Sequence, residues 1–287
     1  MRFEPGASLR LRLKFLAKAV AFRREFAPLL APRAGSSLAT LLDARPDMLG
    51  IVLWPYVATS WTVPQRIARL VGHCEILDSL GPPLRRHPDD AVRVLDLGHV
   101  HPGVTLVLDQ PRWFEREGQL VLNLFLDDER MFSLAFDFGQ GPLGLAAVVG
   151  AVQGRDLPHA QDFYRALTKS FFGLRPRDLL FELFRGFCRA LEVRTIVAVS
   201  DAFRHHRGAY FRGTKTADLT LDYDQVWSER GGTRADDGFF QLAVAMPQRD
   251  KVPSRKRAMY RRRYDFLHAS EAAMRQWLRP DRAGEGG

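Results

Sequence analysis

Cysteine is nearly missing from this chain: among 287 residues only Cys74 and Cys188 occur, so neither a disulfide framework nor a four-cysteine zinc set is available and a reducing compartment is expected. No G-x-x-x-x-G-K-[ST] loop is present, which excludes P-loop nucleotide chemistry. The G-x-S-x-G elbow is absent as well, so Ser200 is not read as a hydrolase nucleophile. No apolar run reaches the length of a membrane span. The most apolar N-terminal stretch, Phe15 to Phe22, is broken by Lys18 and lacks a small-residue cleavage site, so it is not read as a signal peptide and a cytoplasmic location is expected. No internal repeat is evident. Acidic residues are also in deficit, with 33 Asp plus Glu against 42 Lys plus Arg and a formal charge of +9. That balance favours anionic partners such as nucleic acid, anionic lipid or a nucleotide-bearing cofactor, although an arginine-rich genome gives the same excess.

What is present reads as two parts. Residues 1–90 form a helical region, in which Thr62 caps a helix with Pro64 in its first turn and Gly81-Pro-Pro83 ends it. Residues 91–287 form a mixed α/β domain, and the two parts can equally be one continuous domain. Val104 to Leu108, Gln119 to Leu126 and Arg130 to Phe138 are strand-like, the last two joined at Asp127-Asp-Glu129. Gly144 to Val152 is almost continuously apolar, as for a strand covered on both faces. Helices follow at His159 to Ser170 and Pro176 to Leu191, then strands at Arg194 to Val199, Ala209 to Arg212 and Phe239 to Ala245. Ser254 is expected to cap a last helix running to about Leu278, and Ala283 to Gly287 reads as a disordered tail. The order predicts a mixed, mainly antiparallel sheet preceded by helices, not a Rossmann succession.

Candidate site residues sit where these elements end. Gln153 and Gly154 follow the buried strand, where a glycine lets backbone N–H groups face a phosphate, and Lys169 and Arg175 are cations close by in sequence. A plain strand-to-helix turn and solvated helix ends explain the same residues. Ser200 and Asp201 end a strand at the position where α/β sheets hold ligands. Asp201 or His205, beside His206, can take a proton from a hydroxyl or amine there, or Asp201 can cap the following turn. Glu229 and Asp237 lie in glycine-rich turns beside Trp227 and Phe239. His99 and His101 can share one face of a strand, but too few further ligands are near in sequence, so no metal site is assigned.

Two basic amphipathic helices complete the inventory. Residues 8–28 place Leu9, Leu13, Leu16 and Val20 on one face with Arg10, Lys14 and Arg24 elsewhere. Six cations fall between Arg255 and Arg263 beside a Tyr260, Tyr264 and Leu267 stripe. Such helices either pack on their own domain or lie on an anionic lipid surface. No recognised nucleic-acid motif accompanies them, so nucleic acid is not the expected partner.

Taken together, several stretches carry a resemblance: Gly98-His-Val-His-Pro-Gly103, Leu126-Asp-Asp-Glu-Arg130 with Phe132-Ser-Leu-Ala-Phe136, Gly150-Ala-Val-Gln-Gly154, Leu167-Thr-Lys169 with Phe172-Gly-Leu-Arg-Pro176, Ala198-Val-Ser-Asp201, Asp237-Gly238-Phe239, and Arg255-Lys-Arg-Ala258 with Tyr260-Arg-Arg-Arg-Tyr264. Their order along nearly the whole chain resembles the bacterial VirK/YbjX family. That likeness implies a link to virulence and antimicrobial-peptide resistance and carries over no catalytic residues. The element order is similar to the GNAT-type acyltransferase core, whose Q/R-x-x-G-x-G/A loop holds the acyl-CoA pyrophosphate. Here the place reads Gln153-Gly-Arg-Asp-Leu-Pro158, without the second glycine. The resemblance implies an acyltransferase acting on an envelope precursor or another amine-bearing acceptor. Acyl-CoA would be its donor, held in the central cleft by Gln153, Gly154, Lys169, Arg175 and Ser200. Asp201, His205 or Glu229 would be the base. The alternative is a non-enzymatic envelope factor docking on anionic lipid or a protein partner through the basic helices.

Overall fold

The computed structural model describes residues 9–155, 160–208, 221–246 and 253–279. The expected strand at Ala209 to Arg212, the tail beyond Ala283, and Asp156 to His159 lie outside them.

The helical start is broken early. Helices α1 (Leu9–Ala21) and α2 (Arg23–Leu30) meet at Phe22, and Ser36 caps α3 (Ser37–Ala44) by accepting the Ala39 N–H. A 3-10 turn, Pro46–Val52, leads to α4 (Val63–Leu80). As the sequence predicts, Thr62 and Pro64 open α4, the Thr62 N–H donating to Gln65 at 2.8 Å, and Gly81 at φ +67° ends it.

Among the described residues one eight-stranded sheet follows, in the order β1-β2-β3-β4-β5-β6-β8-β7. Strands β1 (Val92–Asp96), β2 (Val104–Asp109), β3 (Leu120–Leu126), β4 (Glu129–Gly141) and β5 (Gly144–Gly154) form an antiparallel meander. Strand β1 was not anticipated: its short, half-exposed Val-Arg-Val-Leu-Asp pattern follows a loop rich in proline and charge. Helices α5 (Ala160–Ser170) and α6 (Pro176–Ala190) then return the chain to β6 (Thr195–Ala198), parallel to β5. Helix α7 (Tyr223–Ser228) and strands β7 (Thr233–Arg234) and β8 (Phe240–Leu242) extend that edge antiparallel. Helix α8 (Arg257–Trp277) closes the described chain; Ser254 opens a 3-10 turn before it and is not its cap. The sheet is mixed and mainly antiparallel behind N-terminal helices, and the finer GNAT-like strand order is not confirmed by it. The spacing G-x-G-x-x-G occurs at Gly139, Gly141 and Gly144. It closes the β4–β5 hairpin and opens no helix, so it forms no dinucleotide loop.

Both faces of the sheet are covered. Successive strand residues point to opposite sides, and Val149 packs in the cluster with α6 while Val148 packs with α2, α3, α4 and the 46–52 turn. On the α6 side Phe184 meets Phe136 edge-on at 4.9 Å between ring centres, and α8 covers α6 through Phe266, Leu267 and Met274. At Gly150 an added Cβ would lie 1.9 Å from the Glu117 carbonyl oxygen, so only glycine lets the 112–118 loop approach β5. That close approach delivers Glu117 to the site.

Candidate functional site

Two of the expected site residues meet on a third that the sequence did not single out. Glu117 is almost fully buried, and Gln153 donates its side-chain N–H groups to both carboxylate oxygens at 3.0 Å. His205 Nδ1 lies 3.1 Å and His206 Nδ1 3.5 Å from the same Glu117 Oε1. The two imidazoles are 3.7 Å apart between ring centres. No local motif announces Glu117. It follows a 3-10 turn at Arg112–Phe114, its N–H donates to Phe114 O, and only the glycine at 150 hints that something presses on β5 there.

Ser200 is fully buried beside this region in sequence, and its Oγ has no hydrogen-bond partner among the described residues. Asp201 is committed elsewhere. It accepts hydrogen bonds from Arg204 at 3.2 Å, from Arg207 and from the Tyr223 N–H at 3.4 Å. Burial alone would raise its pKa, but the Tyr223 N–H and both guanidiniums hold it below the usual carboxylate range. Asp201 thus ties Arg204 and Arg207 to the start of α7. Arg204 adds to this by lying 3.8 Å over the Tyr223 ring and bridging to Ala58.

Other expected residues lie apart. Gln153 pairs with Ser133 and Gly154 with Phe132, so Gln153 and the Phe132 ring point to opposite faces. Gly154 sits against that ring, where an added Cβ would be 2.6 Å away. Lys169 and Arg175 line a groove of about 1030 Å³ on the Phe132 side. Phe132, Tyr164, Phe172, Pro176 and Met259 give it an apolar floor, and Arg165, Arg177 and Arg262 bring its cations to five. Phe172 has φ +54°, a strained value held by Arg263, which donates to the Phe172 carbonyl at 2.6 Å. Lys169 and Arg175 have no carboxylate at ion-pair distance among the described residues. Glu229 is outside the groove, 3.7 Å from Arg177 and accepting from Gln225. Asp237 accepts from the Phe239 N–H, the work of an Asp-Gly turn. His99 and His101 lie in the turn between β1 and β2, not on a strand; His99 is exposed and His101 Nδ1 is 3.0 Å from Ser170 Oγ.

The two basic helices differ. In α8 the stripe is packed: Tyr260 and Leu267 are buried, and Arg263 stacks over Tyr260 at 4.3 Å. In α1 the stripe is bare: Leu9, Leu13, Leu16 and Val20 are 72%, 57%, 56% and 65% exposed. At about 100° per residue these four fall within an arc of about 60°, with Arg10 and Arg12 on its two flanks. Phe15, on the other side, packs edge-on against Phe26 at 6.0 Å. Among the described residues no helix is long and apolar enough to cross a membrane.

A family model described as "Protein of unknown function (DUF535)" matches residues 6–276. An uncharacterized protein of Haemophilus influenzae is similar, 29% identical over 196 residues, covering 67% of this chain and 62% of that protein. The uncharacterized protein YbjX of Escherichia coli is 32% identical over 135 residues, 46% of this chain and 40% of YbjX. A second Haemophilus influenzae protein is 28% identical over 153 residues, 53% and 50% of the two chains. The matches span between 40% and 62% of these relatives' own lengths.

Proposed function

The chain belongs to the DUF535 family, which includes YbjX-like proteins, and from that premise we propose that it works on the surface of an anionic membrane, docked through α1. The observation that supports this reading is the bare Leu9, Leu13, Leu16 and Val20 stripe flanked by arginines. An apolar strip of this width sinks into the acyl boundary while flanking cations reach the headgroups, and each leucine withdrawn from water contributes about 1.5–3 kcal/mol. A place at the envelope surface is where a contribution to antimicrobial-peptide resistance, implied by the VirK/YbjX likeness, would be made. Flotation with phosphatidylglycerol vesicles tests it. The protein should float with them and not with phosphatidylcholine, and a Leu13→Glu, Leu16→Glu variant should lose roughly tenfold or more of that binding. Equal binding to both lipids, or an unaffected variant, contradicts the reading.

A second reading rests on the groove, whose apolar floor and five cations suit an acyl chain bearing phosphate or carboxylate, such as an acyl-CoA. Lys169 and Arg175 would hold the anion. Transfer of that acyl group to an amine-bearing envelope acceptor needs a base, and no carboxylate or imidazole is among the described groove residues. Of the expected bases, Asp201 is tied to its arginines and His205 faces Glu117. Calorimetry with acyl-CoA should give heat that Arg175→Glu abolishes; none in the native protein removes this reading.

A further inference from the structure

The Glu117 cluster has the composition and shape of a cation site. Three potential ligand atoms, one each from Glu117, His205 and His206, lie within 4.8 Å of one another. Ligands at about 2.0–2.1 Å from a tetrahedral zinc are about 3.3 Å apart. The two imidazole-to-carboxylate separations, 3.1 and 3.5 Å, fall on either side of that edge length. A simple ion pair to a buried glutamate needs one imidazole; here consecutive histidines turn the same ring nitrogen, Nδ1, toward one oxygen. The surroundings support such ligands. Gln153 bridges both carboxylate oxygens and fixes their plane, as outer hydrogen bonds do around metal ligands. The His205–Arg207 turn is held from behind by Asp201 with Arg204 and Arg207, and by the Thr59 N–H donating to Phe203 O. The His206 side chain is 18% exposed, against 3% for Glu117, which leaves the site an edge open to solvent.

We infer that Glu117, His205 and His206 bind one divalent first-row transition ion, with Gln153 as the group that positions the carboxylate. Two nitrogen donors and one oxygen donor suit zinc or iron(II) and select against magnesium and calcium, which take oxygen ligands. Three protein ligands leave a coordination position for water or a substrate oxygen, the pattern of a catalytic site and not of a closed structural one.

The test starts from the whole chain stripped with a chelator, then dialysed against zinc or magnesium and assayed for bound metal. About one zinc per chain is expected, with no magnesium retained at the same concentration. His206→Gln should weaken zinc binding at least tenfold and Gln153→Ala by roughly tenfold, while His99→Gln, an exposed control, changes nothing. Cobalt(II) added to the native protein provides a readout needing no variant: a visible absorption band of tetrahedral type, displaced by zinc. No retained zinc, no cobalt band, or equal zinc retention by native protein and a folded His206→Gln variant overturns the inference.

Discussion

Helices α1 and α6 carry the same kind of sequence, an apolar stripe with arginines beside it, and they meet opposite fates. In α6 Leu180, Leu183, Phe184, Phe187 and Cys188 are buried between the sheet and α8. In α1 only Phe15 is buried, and the stripe of Leu9, Leu13, Leu16 and Val20 faces water. The difference lies in what surrounds each helix. α6 fills the crossover between two parallel strands, where its apolar side has a sheet to meet. α1 rests by its other side on the 46–52 turn and α2, through buried Phe15 and half-buried Ala19. Amphipathicity therefore measures that a face is apolar; only the fold determines whether the protein itself covers it.

Truncating each stripe gives the sharpest contrast. Phe184→Ala should cost about 3–5 kcal/mol of stability in denaturant melts, since the ring is fully buried against Phe136. Leu16→Ala should change stability by no more than about 0.5 kcal/mol. A large loss at Leu16 would mean that α1 packs on its own domain after all.

A second contrast concerns the support beneath α1. The Glu115 carboxyl is pushed up to about 7, first by burial and then by the charge and hydrogen bond of Asp47 in the 46–52 turn, against Arg116 and Arg112. The folded state thus holds that proton more tightly than the unfolded chain, whose glutamate titrates near 4.5. The stability from this group is full below about pH 4.5 and is lost as pH rises through about 7. Glu115→Gln should flatten the pH dependence over that window, by roughly 1–2 kcal/mol once partial exposure is allowed for. Urea melts at pH 5 and 8 measure it, and an unchanged slope would reject a Glu115 carboxyl held protonated by burial and Asp47.

Smaller effects follow from local features. Ser36→Ala removes the cap of α3 and should cost about 1 kcal/mol in the same melts. Lys169→Ala with Arg175→Ala should leave stability within about 0.5 kcal/mol while weakening an acyl-bearing anion in the groove, a separation that calorimetry would reveal.

The elements with strong local signals were legible in the sequence. Thr62 with Pro64, Pro176 before an apolar stripe, and the turn at Asp127 mark boundaries through caps and turn chemistry that need no partner. Strand β1 was not, because five residues of half-exposed pattern form a strand only when β2 is beside them. The site was legible in pieces. Gln153 was picked out at a strand end and His205 as a possible base, but Glu117 belongs to a loop whose approach to Gly150 is purely tertiary. Lys169 and Arg175, expected beside Gln153 and Gly154, line one groove together, and that groove opens on the other face from Gln153, since neighbouring residues 153 and 154 point opposite ways.

The most direct measurement of membrane docking uses the two native cysteines, both buried with thiols whose pKa burial pushes up, so that an introduced surface thiol is labelled selectively. An environment-sensitive fluorophore on Leu13→Cys should shift to the blue with phosphatidylglycerol vesicles and be quenched by brominated acyl chains, while the same label on Lys14→Cys should not. Unchanged emission at position 13 on adding vesicles, or equal quenching at both positions, would contradict an α1 that lies in the bilayer surface.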